Sequence, residues 1–435
     1  MKTKIFNAAL FAVLAFMAVS AKAFAQIEPP TPPANVRLNR NLDDKEYRQQ
    51  MENLRTKMAG LNKEMAALSV KHGKEIRAAI NKSRNKLSTE LKDFSKDFSG
   101  SFKDLAPDIG NSFKGLNNIT INSNDDEYKK KVASGQVTEK IKNFSKTYSV
   151  DADDLLQIDN KFGKVTVNTW SRKEFKVDVQ MKFGSEDADA VNDMINGSSV
   201  RESKVGSTVS FKTVLYQNEG NSGRNQHIEI NYTVYMPAGN PVDITNKFGG
   251  VTLPDLSGKA LLRVSYGSLT AQQLLNKDND VKVRFGDANI VTFNGGKLDV
   301  GYGKLKAGTV NNVNANISFG SFNVDKLKNS VDVNIKYGDG FNIGAIDRSV
   351  RNLNINASFT KVNLDFSQSE SFNFDITTKF GSFNYDDDRV KITSKSPDDE
   401  ERGWSSTKSY KGYIGKTNTD GKIVINANYT GVRFK

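Results

Sequence analysis

"ISFGSFNV", residues 317–324, alternates apolar and polar side chains up to Phe319, breaks at Gly320, and then resumes the alternation. A period of two is the mark of a strand with one face buried. Phrases built the same way run through the second half of the chain. Phe248, Tyr266, Phe285, Tyr302, Phe319, Tyr337, Phe359 and Phe380 follow one another at intervals of 18, 19, 17, 17, 18, 22 and 21 residues. The residue after each is a glycine (Gly249, Gly267, Gly286, Gly303, Gly320, Gly338 and Gly381), except that Thr360 follows Phe359. Ahead of the later aromatics stand apolar sets such as Val313-Ala315-Ile317 and Val331-Val333-Ile335, and a second short alternation follows the glycine.

A fixed period near twenty with strands inside it points to a stack in which each repeat buries the face of the next. The expected fold is all-β: a single-stranded β-helix, or β-solenoid, with about 17–22 residues per coil, preceded by an N-terminal α-helical segment. In this reading the aromatic closes the inward row and stacks on its equivalents. The glycine turns the corner through positive φ. Outward Asn314, Asn316, Asn334, Asn354, Asn356 and Asn373 suit ladders of side-chain amides. An antiparallel sandwich is the alternative, and it rarely keeps so constant a phrase and spacing.

Upstream, "NKFGKVTV" (160–167) and "NKFGGVTL" (246–253) carry the same construction, and Phe162 and Phe183 are counted with the repeat aromatics. A short helix is expected at 186–196, with long strands around 207–216 and 227–236 joined through "NEGNSGRN" (218–225). The repeats proper occupy 242–390, after an N-terminal β region at 137–241, and 391–435 read as a loop with terminal strands.

The first 136 residues are of another kind. Lys2 and Lys4 precede an apolar run over 5–19, and Ala23-Phe24-Ala25 gives a small-x-small cleavage pattern before Gln26. This reads as an export signal, too short for the roughly 20 apolar residues of a membrane span. A stiff proline-rich spacer follows at 26–42. Tyr47, Met51, Leu54, Met58, Leu61, Met65 and Leu68 then form a seam of period 3.5, opening a basic amphipathic helical segment at 43–107. Packing on its own chain, homo-oligomer formation through 47–68 and membrane-surface contact all stay open. Residues 108–136 read as a polar linker.

The chain has 435 residues, no cysteine and a formal charge of +12. Disulfides, thiolate zinc sites and cysteine nucleophiles are therefore excluded. Residues 37–103 hold 16 Lys/Arg against 9 Asp/Glu, so the excess charge is concentrated there. With export, a basic segment suits anionic envelope polymers or lipid headgroups rather than nucleic acid.

The signal, the paired "NKFG" phrases, "YTVYMPAGNPVDI" (232–244) and the aromatic–glycine run together resemble a bacterial family of exported adhesin-type β-solenoid domains of the Bacteroidetes type. The resemblance covers roughly residues 137–390 and leaves out the helical segment. It implies a fold and an envelope location, periplasm or cell surface of a Gram-negative bacterium, and brings no catalytic residue with it.

The chemistry-bearing residues are few. His72 lies on the helical seam and His227 opens a strand. No G-x-S-x-G, phosphate-binding glycine loop or H-E-x-x-H occurs. The acidic runs at 386–388 and 398–401 read as exposed loops with calcium as the alternative, and "GGKLDV" (295–300) is a single, incomplete β-roll phrase. The expectation is a non-catalytic binding or structural module without cofactor or metal. Its partner would be an envelope polymer, a glycan or another envelope protein. A solenoid polysaccharide lyase or hydrolase, and a helical stalk that carries the function, are the alternatives.

Overall fold

The computed structural model describes residues 119–120, 125–216, 226–367, 371–386, 388–398, 405–416 and 419–435. The segments expected to form the export signal, the proline-rich spacer and the helical seam, most of the expected polar linker and the 218–225 phrase lie outside the described residues.

Among the described residues the chain is all-β, with twenty-six strands joined in one sheet and two helices. Alternation sets the strands. In Val242–Lys247 and Asn279–Arg284 every second residue is buried and its neighbours are half-buried. Valine and isoleucine dominate the buried positions, where branching at Cβ suits the pleat.

Two long parallel ladders organise 155–434. The first runs from Leu155–Lys161 through Val242–Lys247, Ala260–Ser265, Asn279–Arg284 and Gly296–Gly301. It continues through the second halves of Lys304–Ser318 and Ser321–Lys336 to Asn352–Ser358. The second ladder starts at Val165–Thr169 and passes through Val251–Leu253, Leu269–Leu274 and Ala288–Phe293. It then takes the first halves of the same two long strands, Gly340–Ile343 and Lys361–Leu364. Each rung is thus one strand per ladder, and the inward residues of both ladders merge into one core that includes Leu262, Val281, Leu298, Phe322 and Phe341. Parallel pairing at this regular offset is not what hairpin-linked sandwich strands would give.

Spatial order departs from chain order at the far end. Lys422–Asn428 is parallel to Asn352–Ser358 on one side and to Ser371–Lys379 on the other. Gly431–Phe434 likewise lies between Lys361–Leu364 and Ser382–Asn384. The terminal strands are therefore a rung of the repeat, inserted ahead of the rung made before it. Thr407–Gly415 pairs antiparallel with Ser371–Lys379, and Val390–Ser396 pairs antiparallel with Thr407–Gly415.

The near end is closed by antiparallel structure. Gln226–Met236 runs antiparallel to Glu174–Ser185 and parallel to Val165–Thr169, and Thr138–Ser149 pairs with Glu174–Ser185 on its other side. The hairpin Ser199–Val205 and Thr208–Val214 extends the first ladder beyond Leu155–Lys161. The helix Ala188–Gly197 is capped by Asp187, whose Oδ1 accepts from the backbone N–H of Asp189 at 3.0 Å, and it buries Val191 and Met194. The second helix, Asp125–Ala133, lies within the segment whose composition reads as a linker.

Candidate binding surface

The corner between the two ladders carries a column of ten aromatic rings. In spatial order these are Phe162, Phe248, Tyr266, Phe285, Tyr302, Phe319, Tyr337, Phe359, Tyr429 and Phe380. Consecutive rings lie 4.6–5.2 Å apart and within 4–17° of parallel. Offset stacking and edge-on pairs both fall in this range of centroid distances. Here the strand spacing of about 4.8 Å sets near-parallel stacking from rung to rung. The backbone N–H of every ring residue but Phe380 extends the ladder, as Tyr266 N–H donates to Arg284 O at 2.9 Å and Phe319 N–H to Lys336 O at 3.0 Å; Phe380 N–H donates to Ser406 O at 2.7 Å.

Two expectations about this corner need correction. The residue in the left-handed region is the aromatic, not the glycine after it. All ten ring residues have φ between 48° and 63°, while Gly249, Gly267, Gly286, Gly303, Gly320, Gly338 and Gly381 are absent from the positive-φ set. Such a backbone costs a non-glycine residue about 1–2 kcal/mol, so stacking and ladder bonds must offset it at every rung. Glycine follows for a different reason, the close approach of neighbouring backbones. A Cβ on Gly320 would lie 1.9 Å from the carbonyl oxygen of Gly303, and one on Gly267 would lie 2.0 Å from that of Gly249.

The second correction concerns burial. Phe162 and Phe248 are buried, but the rings from Tyr266 to Tyr337 are half-buried, and Phe359 and Phe380 are 45% and 39% exposed. Because each ring's faces are covered by its neighbours, the column shows solvent mainly its edges. Phe183 does not belong to it. That side chain is fully buried in Glu174–Ser185, paired antiparallel with Lys140 and Ile228.

Outward asparagines form columns of their own. Asn334 Nδ2 donates to Asn316 Oδ1 at 3.1 Å, Asn356 to Asn334 at 3.0 Å, and Asn426 to Asn356 at 3.0 Å. Beside them Asn354 donates to Asp332 at 2.7 Å. On the second ladder Asn363 donates to Asn342 and Asn342 to Asn323, both at 2.8 Å. At the opposite corner Asn329 donates to Asn311 at 2.6 Å and Asn311 to Asn294 at 2.7 Å. Sequence reading picked out only part of the first set. Asn373, which it included, bonds instead to Thr419 O at 2.9 Å. A primary amide has two donors and two acceptor lone pairs, so an amide that spends one of each within its column keeps one of each for a ligand or water.

The asparagines of the "NKFG" phrases are inward and fully buried. Asn160 donates to Asn246 Oδ1 at 3.1 Å, and Asn246 donates to the carbonyls of Gly163 and Gly249, each at 2.9 Å. Thr213 Oγ1 donates to Asn160 Oδ1 at 2.9 Å and lies 2.9 Å from the Tyr232 hydroxyl. Burial pushes the Tyr232 phenol well above the usual tyrosine range, so it stays neutral. This polar knot ties the near-end strands to the first two rungs.

The other chemistry-bearing residues take structural places. His227 stacks on Tyr128 at 3.9 Å, and the Tyr128 hydroxyl donates to Glu139 at 2.9 Å. Trp170 donates from Nε1 to Glu174 O at 2.8 Å, with the Arg172 guanidinium 5.2 Å above its ring. In the acidic run at 386–388, Asp386 Oδ1 accepts from the Asp388 backbone N–H at 3.1 Å. Among the described residues no group of three or more His, Asp or Glu could hold a metal ion. His72, Trp404 and residues 399–401 lie outside the described residues.

No protein-family model and no curated protein matches the chain. Solved structures similar to it include a candidate cell-adhesion protein from Clostridium sporogenes, 11% identical, with 68% of this chain and 100% of that one covered and a TM-score of 0.16. A candidate adhesin from Bacteroides fragilis is 11% identical, with 68% and 97% covered and a TM-score of 0.21. Another from Parabacteroides distasonis is 10% identical, with 68% and 97% covered and a TM-score of 0.25. At these TM-scores the backbones do not superpose as wholes.

Proposed function

We propose that the paired ladders are the coils of a β-solenoid, and that the protein is an exported, non-catalytic, adhesin-like binding module of the cell envelope. The observation that carries this reading is the set of asparagine columns. An extended partner lying along such a column meets the same donor and acceptor at three or four successive rungs, about 4.8 Å apart. Regular parallel pairing at a near-constant offset supports the solenoid. The apolar, lysine-flanked start of the sequence supports export. The partner would be an envelope polymer, a glycan or another envelope protein.

Binding of this kind is spread over several coils, so no single outward residue dominates. The test is a glycan and envelope-protein binding screen with the purified chain starting at Gln26. The expected result is retention of a partner, slightly weakened by Asn334→Ser and strongly by the triple change of Asn316, Asn334 and Asn356 to Ser. Release of reducing or unsaturated sugar ends by the pure protein, abolished by one Asp or Lys substitution, would replace this reading with an enzymatic one.

A further inference from the structure

The ring column has charged margins. Lys161, Lys247, Arg284, Lys336 and Lys379 each stand immediately before a ring residue, on the outward side of the first ladder. Lys164, Lys304 and Lys361 stand two residues after one, on the other margin, and are exposed. Asp287 and Asp339 hold that same place at two other rungs, Arg284 is paired with Asp299 at 2.6 Å, and other margin lysines also have partners within the chain. Cations still outnumber acids along both sides of a line one ring wide.

The rings add to the same polarity. An aromatic ring carries positive partial charge at its edge and negative charge on its faces. Stacking hides the faces and leaves the edges outward. From Phe248 to Phe380 the column also alternates phenylalanine and tyrosine without exception, but only in spatial order, where Tyr429 separates Phe359 from Phe380. Phenol groups therefore recur at every second rung, roughly 10 Å apart at the usual strand spacing. Burial raises the Tyr266 and Tyr302 phenols, keeping both neutral, and the Tyr302 oxygen is itself buried from solvent.

We propose that this corner is a binding track for a linear acidic polysaccharide, whose carboxylates meet the lysine margins while its ring oxygens and hydroxyls meet the aromatic edges. The proposal rests on the binding-module reading and supplies its ligand class. A single-stranded nucleic acid is a poorer fit, since base stacking needs an open ring face and these faces are occupied. An anionic bilayer is also a poorer fit, because it favours a broad inserted apolar surface over a line of half-buried edges.

The test uses the chain starting at Gln26 and measures affinity for sodium polygalacturonate, with fully methyl-esterified polygalacturonate, single-stranded DNA and phosphatidylglycerol vesicles as comparisons. The basic segment at 37–103 will attract any polyanion, so two charge-matched triple variants are compared. One carries Lys304→Gln, Lys336→Gln and Lys361→Gln, and the other carries Lys57→Gln, Lys63→Gln and Lys74→Gln. With melting curves unchanged, the track variant is expected to lose on the order of tenfold in affinity for polygalacturonate and the control far less. Equal losses, equal binding of the esterified polymer, or tighter binding of DNA or vesicles would overturn the proposal. If polygalacturonate fails while a neutral glycan or protein is retained and is lost with the asparagine triple, the track is wrong and the binding module stands. No binding to any partner removes both.

Discussion

Tyr429 stacks on Phe359 with ring centroids 4.8 Å apart and planes within 9°, and Phe380, which precedes it in the chain, stacks on its opposite face at the same distance. The rung that carries Tyr429 is thus enclosed on both sides, by Asn352–Ser358 and Ser371–Lys379. The segment that comes last in the sequence is interior to the sheet.

Removing residues 421–435 should therefore prevent stable folding instead of trimming a tail. The expected outcome is loss of soluble protein, or loss of a cooperative thermal transition by circular dichroism. Tyr429→Phe keeps the ring and should leave the melting temperature within a few degrees of the parent. A truncated chain that melts like the full one would show that the enclosed rung contributes little.

Glycine changes separate close approach from backbone freedom. Gly320→Ala drives a methyl group into the Gly303 carbonyl, and a backbone atom cannot swing aside. We expect a cost of roughly 2–3 kcal/mol or more, the range of overpacking in a filled site. Gly206 has φ of +58° with nothing within 4 Å of a built Cβ, so Gly206→Ala should cost only about 1 kcal/mol. Urea melts of the two variants test the order, and a reversed order would contradict the close-approach argument.

Phe319→Ala should cost about 1–3 kcal/mol, below the 3–5 kcal/mol usual for a buried phenylalanine. The ring is half-buried and touches Tyr302 and Tyr337 at 4.8 and 5.2 Å. Leu298→Ala, at a fully buried inward position, should fall in the larger 2–5 kcal/mol range. Equal losses in the two melts would place Phe319 inside after all.

Asp347 gives a pH-dependent term. Its carboxylate accepts from Lys326 Nζ at 2.8 Å and from the Ser349 backbone N–H at 2.9 Å, and these bonds, the lysine first, hold its pKa well below the usual carboxylate range. A depressed folded-state pKa contributes stability above the unfolded value of about 4 and loses it as pH falls toward the folded value. Asp347→Asn should therefore destabilise by roughly 1–2 kcal/mol at pH 7 and by much less near pH 2. A difference that stays constant across denaturant melts from pH 7 to pH 2 would refute the assignment.

The repeat was legible because each rung spells the same local code, an alternating strand, an aromatic and a small residue. The place of Tyr429 was not, because pairing across the excursion at 385–421 is non-local and Thr430 stands where glycine marks all but one of the other rungs. The conformation of the corner also misled. A glycine required for close approach and a glycine required for positive φ look alike in a sequence, and a bulky aromatic at positive φ is uncommon. The asparagine columns were partly readable from 314 to 356. Those through Asn323, Asn342 and Asn363 became visible only when the second ladder's register was known.

The enclosed rung imposes an order on assembly. Residues 422–434 are synthesised after 371–384 yet must come to lie between them and 352–364. As the chain emerges, everything up to Phe359 can settle rung upon rung, each on a finished neighbour. The segment carrying Phe380 cannot take its final neighbour until Tyr429 has arrived, so the two must close together as one late step. A chain interrupted anywhere in between is left with an open parallel edge along Asn352–Ser358, a template for joining other chains. Arrival of residues 422–434 is thereby what turns an adhesive edge into a sealed one.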